Sequence, residues 1–161
     1  MDKLGGIVDR TAIPGRYRND SERHFNWKLT NGNIYRPSFK NPQISDKHKL
    51  NLIEIPFTMF KIKADYDLFP FSRYVDFTFE AKKVKEAFKT IQIRNNTLLI
   101  ILHPSLLSYS NLREKHGLIK YGLMNFKKNI LFLKRYLKST YHEINFVSLK
   151  DLSKKYNEGQ L

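Results

Sequence analysis

The distribution of apolar positions divides the chain near residue 50. Residues 1–49 scatter aromatics among Arg, Asn, Pro and Gly and keep neither a helical nor a strand period. Within them only Gly6-Ile7-Val8 reads as a short strand. An aromatic segment without a period is expected to form ordered loops laid over a scaffold. From residue 50 the pattern becomes regular. Leu50-Asn51-Leu52-Ile53-Glu54-Ile55 alternates well enough for a strand, stopped by Pro56, which has no N–H to give a ladder. Residues 57–78 read as an aromatic loop. Over Glu80–Ile91, the side chains Ala81, Val84, Phe88 and Ile91 share one stripe while Lys82, Lys83, Lys85 and Glu86 lie off it, which predicts a helix. Asn95-Asn96 then reads as a turn.

Thr97-Leu98-Leu99-Ile100-Ile101-Leu102 is apolar on both faces and too short for a helix core. Runs of that kind are typical of parallel strands covered by helices on both sides. Residues 104–117 read as a second loop. The longest helix is expected from about Leu118 to Lys138, where Ile119, Leu123, Phe126, Ile130, Leu133 and Leu137 keep a 4-3-4-3-4 spacing. Lys120, Lys127, Lys128, Lys134, Arg135 and Lys138 fall on an adjoining face that reads as a solvated surface. Ile144–Leu149 is expected as a last strand and Lys150–Tyr156 as a closing helix.

Strands alternating with helices predict the α/β class, with a parallel sheet or a (β/α) barrel. A complete barrel takes roughly 200–250 residues, and the chain has 161. The expectation is therefore one partial domain over residues 1–161. It comprises a loop-rich segment at 1–49 and a βαβαβ segment at 50–161, a partial (β/α) barrel without its N-terminal strands.

Composition changes this picture in a few places. Hydrophobic residues make up 41% and aromatics 14%, enough for a real core and too apolar for general disorder. The twelve Phe, nine Tyr and one Trp fill cores first, but such rings also stack on sugars. A net charge of +14 attracts polyanions. No run of five basic residues occurs and acids are interspersed, so a specific nucleic-acid interface is not expected. Without cysteine, disulfides and thiolate metal sites are excluded. No apolar run approaches the roughly 18 residues of a spanning helix, and Met1-Asp2-Lys3-Leu4-Gly5-Gly6 does not resemble a signal peptide. The chain is thus expected to be a cytoplasmic protein.

In parallel α/β architectures, reactive groups collect where strands end. Two strand ends here carry polar or rigid signatures: Glu54-Ile55-Pro56-Phe57-Thr58 and Ile101-Leu102-His103-Pro104-Ser105. An imidazole at such a position can act as general acid or base near neutral pH. Pro104 restricts His103 to extended backbone. Position alone leaves two readings of His103 open, a proton-transfer group and a hydrogen-bonded structural histidine. Asp20 and His24 have a spacing that a helix would turn into a pair of metal ligands, but their surroundings read as loop. No glycine-rich phosphate loop, nucleophile elbow, HExxH or calcium loop is present.

Taken in order, Gly6-Ile7-Val8-Asp9-Arg10-Thr11, Pro14-Gly15-Arg16, Phe25-Asn26-Trp27 and Tyr35-Arg36-Pro37-Ser38 resemble the middle of polysaccharide deacetylase-like (NodB-homology) proteins. Leu52-Ile53-Glu54-Ile55-Pro56-Phe57-Thr58, Leu99-Ile100-Ile101-Leu102-His103-Pro104-Ser105 and Asn145-Phe146-Val147-Ser148-Leu149 continue the resemblance to the C-terminal portion of that domain. It implies a distorted (β/α) barrel that hydrolyses N-acetyl groups on a glycan or nucleotide-linked sugar. In that family a divalent, zinc-type metal held by one Asp and two His polarises the amide, and a late histidine protonates the leaving amine. His103 matches that histidine. Arg16, Trp27, Tyr35, Arg36 and Ser105 would contribute to substrate binding. The metal-binding Asp and His-x-x-x-His segment has no counterpart in this sequence, so no metal ligand is assigned. His103 is followed by Pro104 where many members have Asp. The alternatives to a deacetylase are a carbohydrate-binding remnant without catalysis and, behind it, a basic nucleic-acid-binding domain.

Overall fold

The computed structural model describes residues 8–10, 12–21, 24–64, 67–91, 97–103 and 122–161. Two compact units form, one from the described residues within 1–58, 93–99 and 146–161, the other from those within 59–92 and 100–145.

In the first unit β1 (Val8–Asp9) runs parallel to β4 (Ile53–Glu54), with Val8 opposite Ile53 and Asp9 opposite Glu54. Tyr35 flanks β4 on its other side in an antiparallel bridge to Glu54. Leu52, Ile53, Glu54, Ile55 and Pro56 are all buried, so both faces of this strand are covered. Its apolar side chains Ile53 and Ile55 pack with Ile34 and with Leu152, and Val8, Leu99, Leu149 and Tyr156 close the cluster. Within the loop-rich front, β2 (Tyr17–Asn19) and β3 (His24–Asn26) form a short antiparallel pair.

Leu149, Leu152 and Tyr156 come from the helix that ends the chain, Leu149–Asn157. Here the structure corrects the expected strand at Ile144–Leu149. Residues 143–148 form no strand, and Phe146 is 91% exposed. The physical reason lies in Ser148-Leu149-Lys150-Asp151. The Ser148 hydroxyl accepts the Asp151 N–H at 3.1 Å, an N-cap that draws Leu149 into the helix.

The second unit begins inside the stretch expected to be an aromatic loop. There β5 (Met59–Ile62) and β6 (Phe71–Tyr74) pair antiparallel, from Met59 opposite Tyr74 to Ile62 opposite Phe71. Phe60, Ile62 and Ala64 are buried while Lys61 and Lys63 are exposed, a period of two. Two helices follow among the described residues: α1 (Ala81–Phe88) and α2 (Leu123–Thr140); the closing helix at Leu149–Asn157 is then α3. The expected start of α2 at Leu118 lies outside the described residues. Gly122, at φ 143°, stands where a side chain would be strained and marks the observed start.

The core of this unit is aromatic. The Phe88 ring meets Phe60 at 5.0 Å, Phe132 edge-on at 5.5 Å and Tyr136 edge-on at 5.1 Å between centroids. On α2 the buried positions are Asn129, Leu133 and Leu137, while Ile130 and Leu123 are exposed. The buried stripe is therefore rotated from the one the apolar spacing predicts, and a polar residue sits in it.

Residues 97–103 also differ from expectation. Instead of a continuous strand buried on both faces, Ile101 makes a single parallel bridge to Asp76. Residues 97–101 are half-buried and Leu102 is 41% exposed. Single-position pairing leaves these side chains without the cover a central strand receives. Among the described residues, no helix is long and apolar enough to cross a membrane.

Candidate functional site

The bridge at Ile101 sets up a polar group centred on Asp76 in the second unit. Ile101 N–H donates to the Val75 carbonyl at 3.2 Å, and Phe77 N–H donates to the Ile101 carbonyl at 3.4 Å. These two bonds straddle Asp76 and carry the chain onward so that His103 comes to lie beside it. Asp76 is completely buried, while the His103 side chain is about half exposed.

All of the accepting capacity of the Asp76 carboxylate is used. Oδ1 accepts the Thr78 N–H at 2.8 Å and the Thr78 hydroxyl at 2.7 Å. Oδ2 accepts the His103 N–H at 3.1 Å and pairs with His103 Nδ1. An ionised carboxylate can only accept, so Nδ1 is the nitrogen that carries the proton in this pair. Nε2 of neutral His103 then keeps its lone pair, able to take a proton and later to give it back. The Tyr74 ring lies 6.4 Å from the imidazole, centroid to centroid.

The turn that holds Asp76 is itself braced. Phe79 N–H donates to the Asp76 carbonyl at 3.0 Å. From α2, the buried Asn129 side-chain amide donates to the Phe77 and Phe79 carbonyls, both at 2.8 Å. This accounts for a polar residue on the buried stripe of α2. Each such hydrogen bond between buried groups contributes about 0.5–1.5 kcal/mol.

In the first unit, Arg16 and Trp27 are neighbours across the open end of the β2–β3 pair. Trp27 N–H donates to the Arg16 carbonyl at 2.7 Å, and Gly15 N–H donates to the Trp27 carbonyl at 2.9 Å. Gly15 has φ 75°, a left-handed turn conformation that glycine adopts without strain. Both side chains are half-buried. Tyr35 is buried, and its hydroxyl donates to the Pro42 carbonyl at 2.7 Å. Burial, reinforced by the negative charges of Glu54 and Asp9 and opposed by a hydrogen bond with Thr30, pushes the Tyr35 phenol up to about 12. Arg36 is committed to two amides, Asn51 Oδ1 at 3.0 Å and Asn157 Oδ1 at 2.7 Å, the latter on α3. Glu54, at one of the two strand ends singled out by sequence, is buried and accepts the Ala12 N–H at 3.0 Å on Oε1.

Arg16, Trp27, Tyr35 and Arg36 thus belong to one unit and His103 to the other, while Ser105 lies outside the described residues. His24 pairs with Asn19 at 2.9 Å on the β2–β3 hairpin, and Asp20 pairs with Arg18. The helical face that would have made Asp20 and His24 joint metal ligands does not form. Asp76 is the group that sequence reasoning missed. Its available signal was an acid set among apolar positions, Val75-Asp76-Phe77-Thr78-Phe79, with a threonine two residues on to satisfy it locally.

Among the described residues no three of His, Cys, Asp and Glu come together so as to hold a metal ion. Comparison with protein-family models, with curated proteins and with solved structures finds no match to this chain.

Proposed function

We propose that this chain carries the proton-transfer part of a polysaccharide deacetylase-type site, acting on N-acetyl groups of a glycan or nucleotide-linked sugar met in the cytoplasm. The observation that supports this reading is the His103–Asp76 pair. A buried, fully hydrogen-bonded carboxylate fixes one nitrogen of an imidazole whose side chain is about half exposed. Amide hydrolysis requires a proton on the leaving nitrogen as the C–N bond breaks. In this reading Nε2 of protonated His103 supplies it, and Asp76 stabilises the positive charge before transfer. Activation of the carbonyl and of the attacking water falls to groups other than this pair.

A second reading, sugar binding without catalysis, draws on the adjacency of Arg16 and Trp27. One experiment separates the two. N-acetylglucosamine oligomers are incubated with the purified protein, alone and together with any polypeptide encoded contiguously upstream of it, with zinc supplied. Acetate release is measured alongside oligomer binding. The deacetylase reading expects release that falls by roughly a hundredfold or more in His103→Ala with binding retained. Release that survives His103→Ala, or no release from either preparation, overturns it. Binding without release, weakened by Trp27→Ala, is the result expected of the second reading.

A further inference from the structure

The β5–β6 hairpin ends in an apolar tip that nothing in the proton-transfer chemistry uses. Leu68, Phe69 and Phe71 are 82%, 72% and 53% exposed, and Pro70 between them is exposed as well. Three large apolar side chains within four residues, all turned to water, form a patch rather than the single exposed apolar residues common on any surface.

The tip is held in this exposed form from beneath. The buried Asp67 carboxylate accepts the Ala64 N–H at 2.7 Å, and Arg73 Nη2 donates to both of its oxygens at 2.8 Å. This clamp ties the start of the tip to β6. It also turns the Asp67 carboxylate inward, and from Leu68 to Phe71 the side chains carry no hydrogen-bonding group. A sugar or peptide site needs such groups for recognition. The headgroup–acyl boundary of a bilayer does not, and it accepts Leu and Phe side chains readily.

Charge points the same way. Lys61 on β5 and Lys63 just after it are exposed. They lie within a chain of net charge +14. Basic side chains beside an inserted apolar tip draw it to anionic lipid, each contributing through the surface potential.

We propose that the Leu68–Phe71 tip is a reversible anchor for an anionic membrane surface, with Leu68, Phe69 and Phe71 entering the headgroup–acyl boundary and Lys61 and Lys63 contacting lipid phosphates. The anchor does not depend on whether His103 acts on a sugar. It would hold the protein at a lipid surface without a spanning helix.

The test is co-sedimentation of the full chain with phosphatidylcholine vesicles, with and without phosphatidylglycerol. Wild type is expected to pellet with the mixed vesicles and to stay in solution with phosphatidylcholine alone. Leu68→Ser/Phe69→Ser should lower the partition coefficient by roughly tenfold or more. Lys61→Gln/Lys63→Gln should lower it by roughly fivefold per lysine, an effect that added salt reproduces. Circular dichroism melts that match wild type show that these surface variants fold. No binding of wild type to mixed vesicles overturns the proposal, and so does binding unchanged by the Leu68/Phe69 variant, which would place all attraction on other basic surfaces. Sedimentation velocity adds a third arm: if wild type self-associates and the tip variant does not, the patch is covered by a second copy of the chain and the lipid proposal fails.

Discussion

Replacing Asp76 by Asn tests the geometry of the His103 pair without any assumption about substrate. In wild type, Asp76 Oδ2 accepts from the His103 backbone N–H and from Nδ1. A hydrogen bond to a charged acceptor contributes about 1.5–3 kcal/mol. At roughly 0.59 kcal/mol for RT, that biases neutral His103 toward the Nδ1–H tautomer by about ten- to 150-fold. In Asp76→Asn the Oδ1 side can still accept the Thr78 N–H and hydroxyl, so the amide nitrogen occupies the Oδ2 position and becomes a donor. The ring must then present an acceptor at Nδ1, which moves its proton to Nε2. Nitrogen-15 spectra of histidine-labelled protein, recorded above the pH at which the ring is neutral, distinguish a protonated from a bare ring nitrogen. The expected result is Nδ1–H for His103 in wild type and Nε2–H in Asp76→Asn. The amide nitrogen would still face the His103 backbone N–H, so thermal stability should drop modestly. Asp76→Ala should cost more, about 2–4 kcal/mol, since the completely buried Thr78 N–H loses its acceptor. A wild-type ring protonated at Nε2, or the same tautomer in both proteins, would refute the pairing.

The buried Tyr35 phenol, raised from 10.0 to about 12, makes the folded state favour the protonated form. The resulting stability is fully present below pH 10 and is lost as pH climbs toward 12, up to about 2.7 kcal/mol for a shift of two units. Tyr35→Phe should cost about 1 kcal/mol at neutral pH through the bond to Pro42, yet lose stability less steeply in denaturant titrations between pH 10 and 12. A slope parallel to wild type would contradict the assignment. Phe88→Ala removes the ring that touches Phe60, Phe132 and Tyr136. It should destabilise the second unit by about 3–5 kcal/mol in urea unfolding, and a loss below 1 kcal/mol would mean that this cluster is not its core.

How far the chain could be read in advance depended on how local each signal was. The helix over Ala81–Phe88 follows from four side chains within three turns, and it forms close to where periodicity puts it. Val8 and Ile53, expected in separate strands, meet as parallel partners. The β5–β6 hairpin was obscured because its alternation is written in Lys61 and Lys63 against Phe60, Ile62 and Ala64, inside a stretch whose aromatic density reads as loop. At Ile144–Leu149 two local signals competed. β-branched and aromatic residues favoured a strand, but the Ser148 cap offered the backbone a specific hydrogen bond, and the cap prevailed.

The candidate site shows the harder limit. His103 could be singled out because Pro104 and the apolar run before it are its immediate neighbours in sequence. Its partner could not, since Asp76 lies 27 residues earlier and is joined to it through one bridge at Ile101. The bracing Asn129 is a further step removed, 52 residues from the carbonyl of Phe77 that it holds. On the apolar spacing of α2, Asn129 is simply a polar position beside the predicted stripe. Its burial makes sense only once the turn at Asp76 exists, because that turn brings the Phe77 and Phe79 carbonyls to its amide. The polarity of Asn129 is therefore a consequence of where Asp76 sits, and Asp76 in turn owes its buried charge to the donors of Thr78 and His103. Each of these residues looks like an exception to its own local pattern, and each donates to or accepts from a group of the same turn. An imidazole held this way has little freedom to rotate away from the carboxylate, and it is this fixed direction of Nε2, more than the mere presence of a histidine at a strand end, that makes His103 suited to passing a proton.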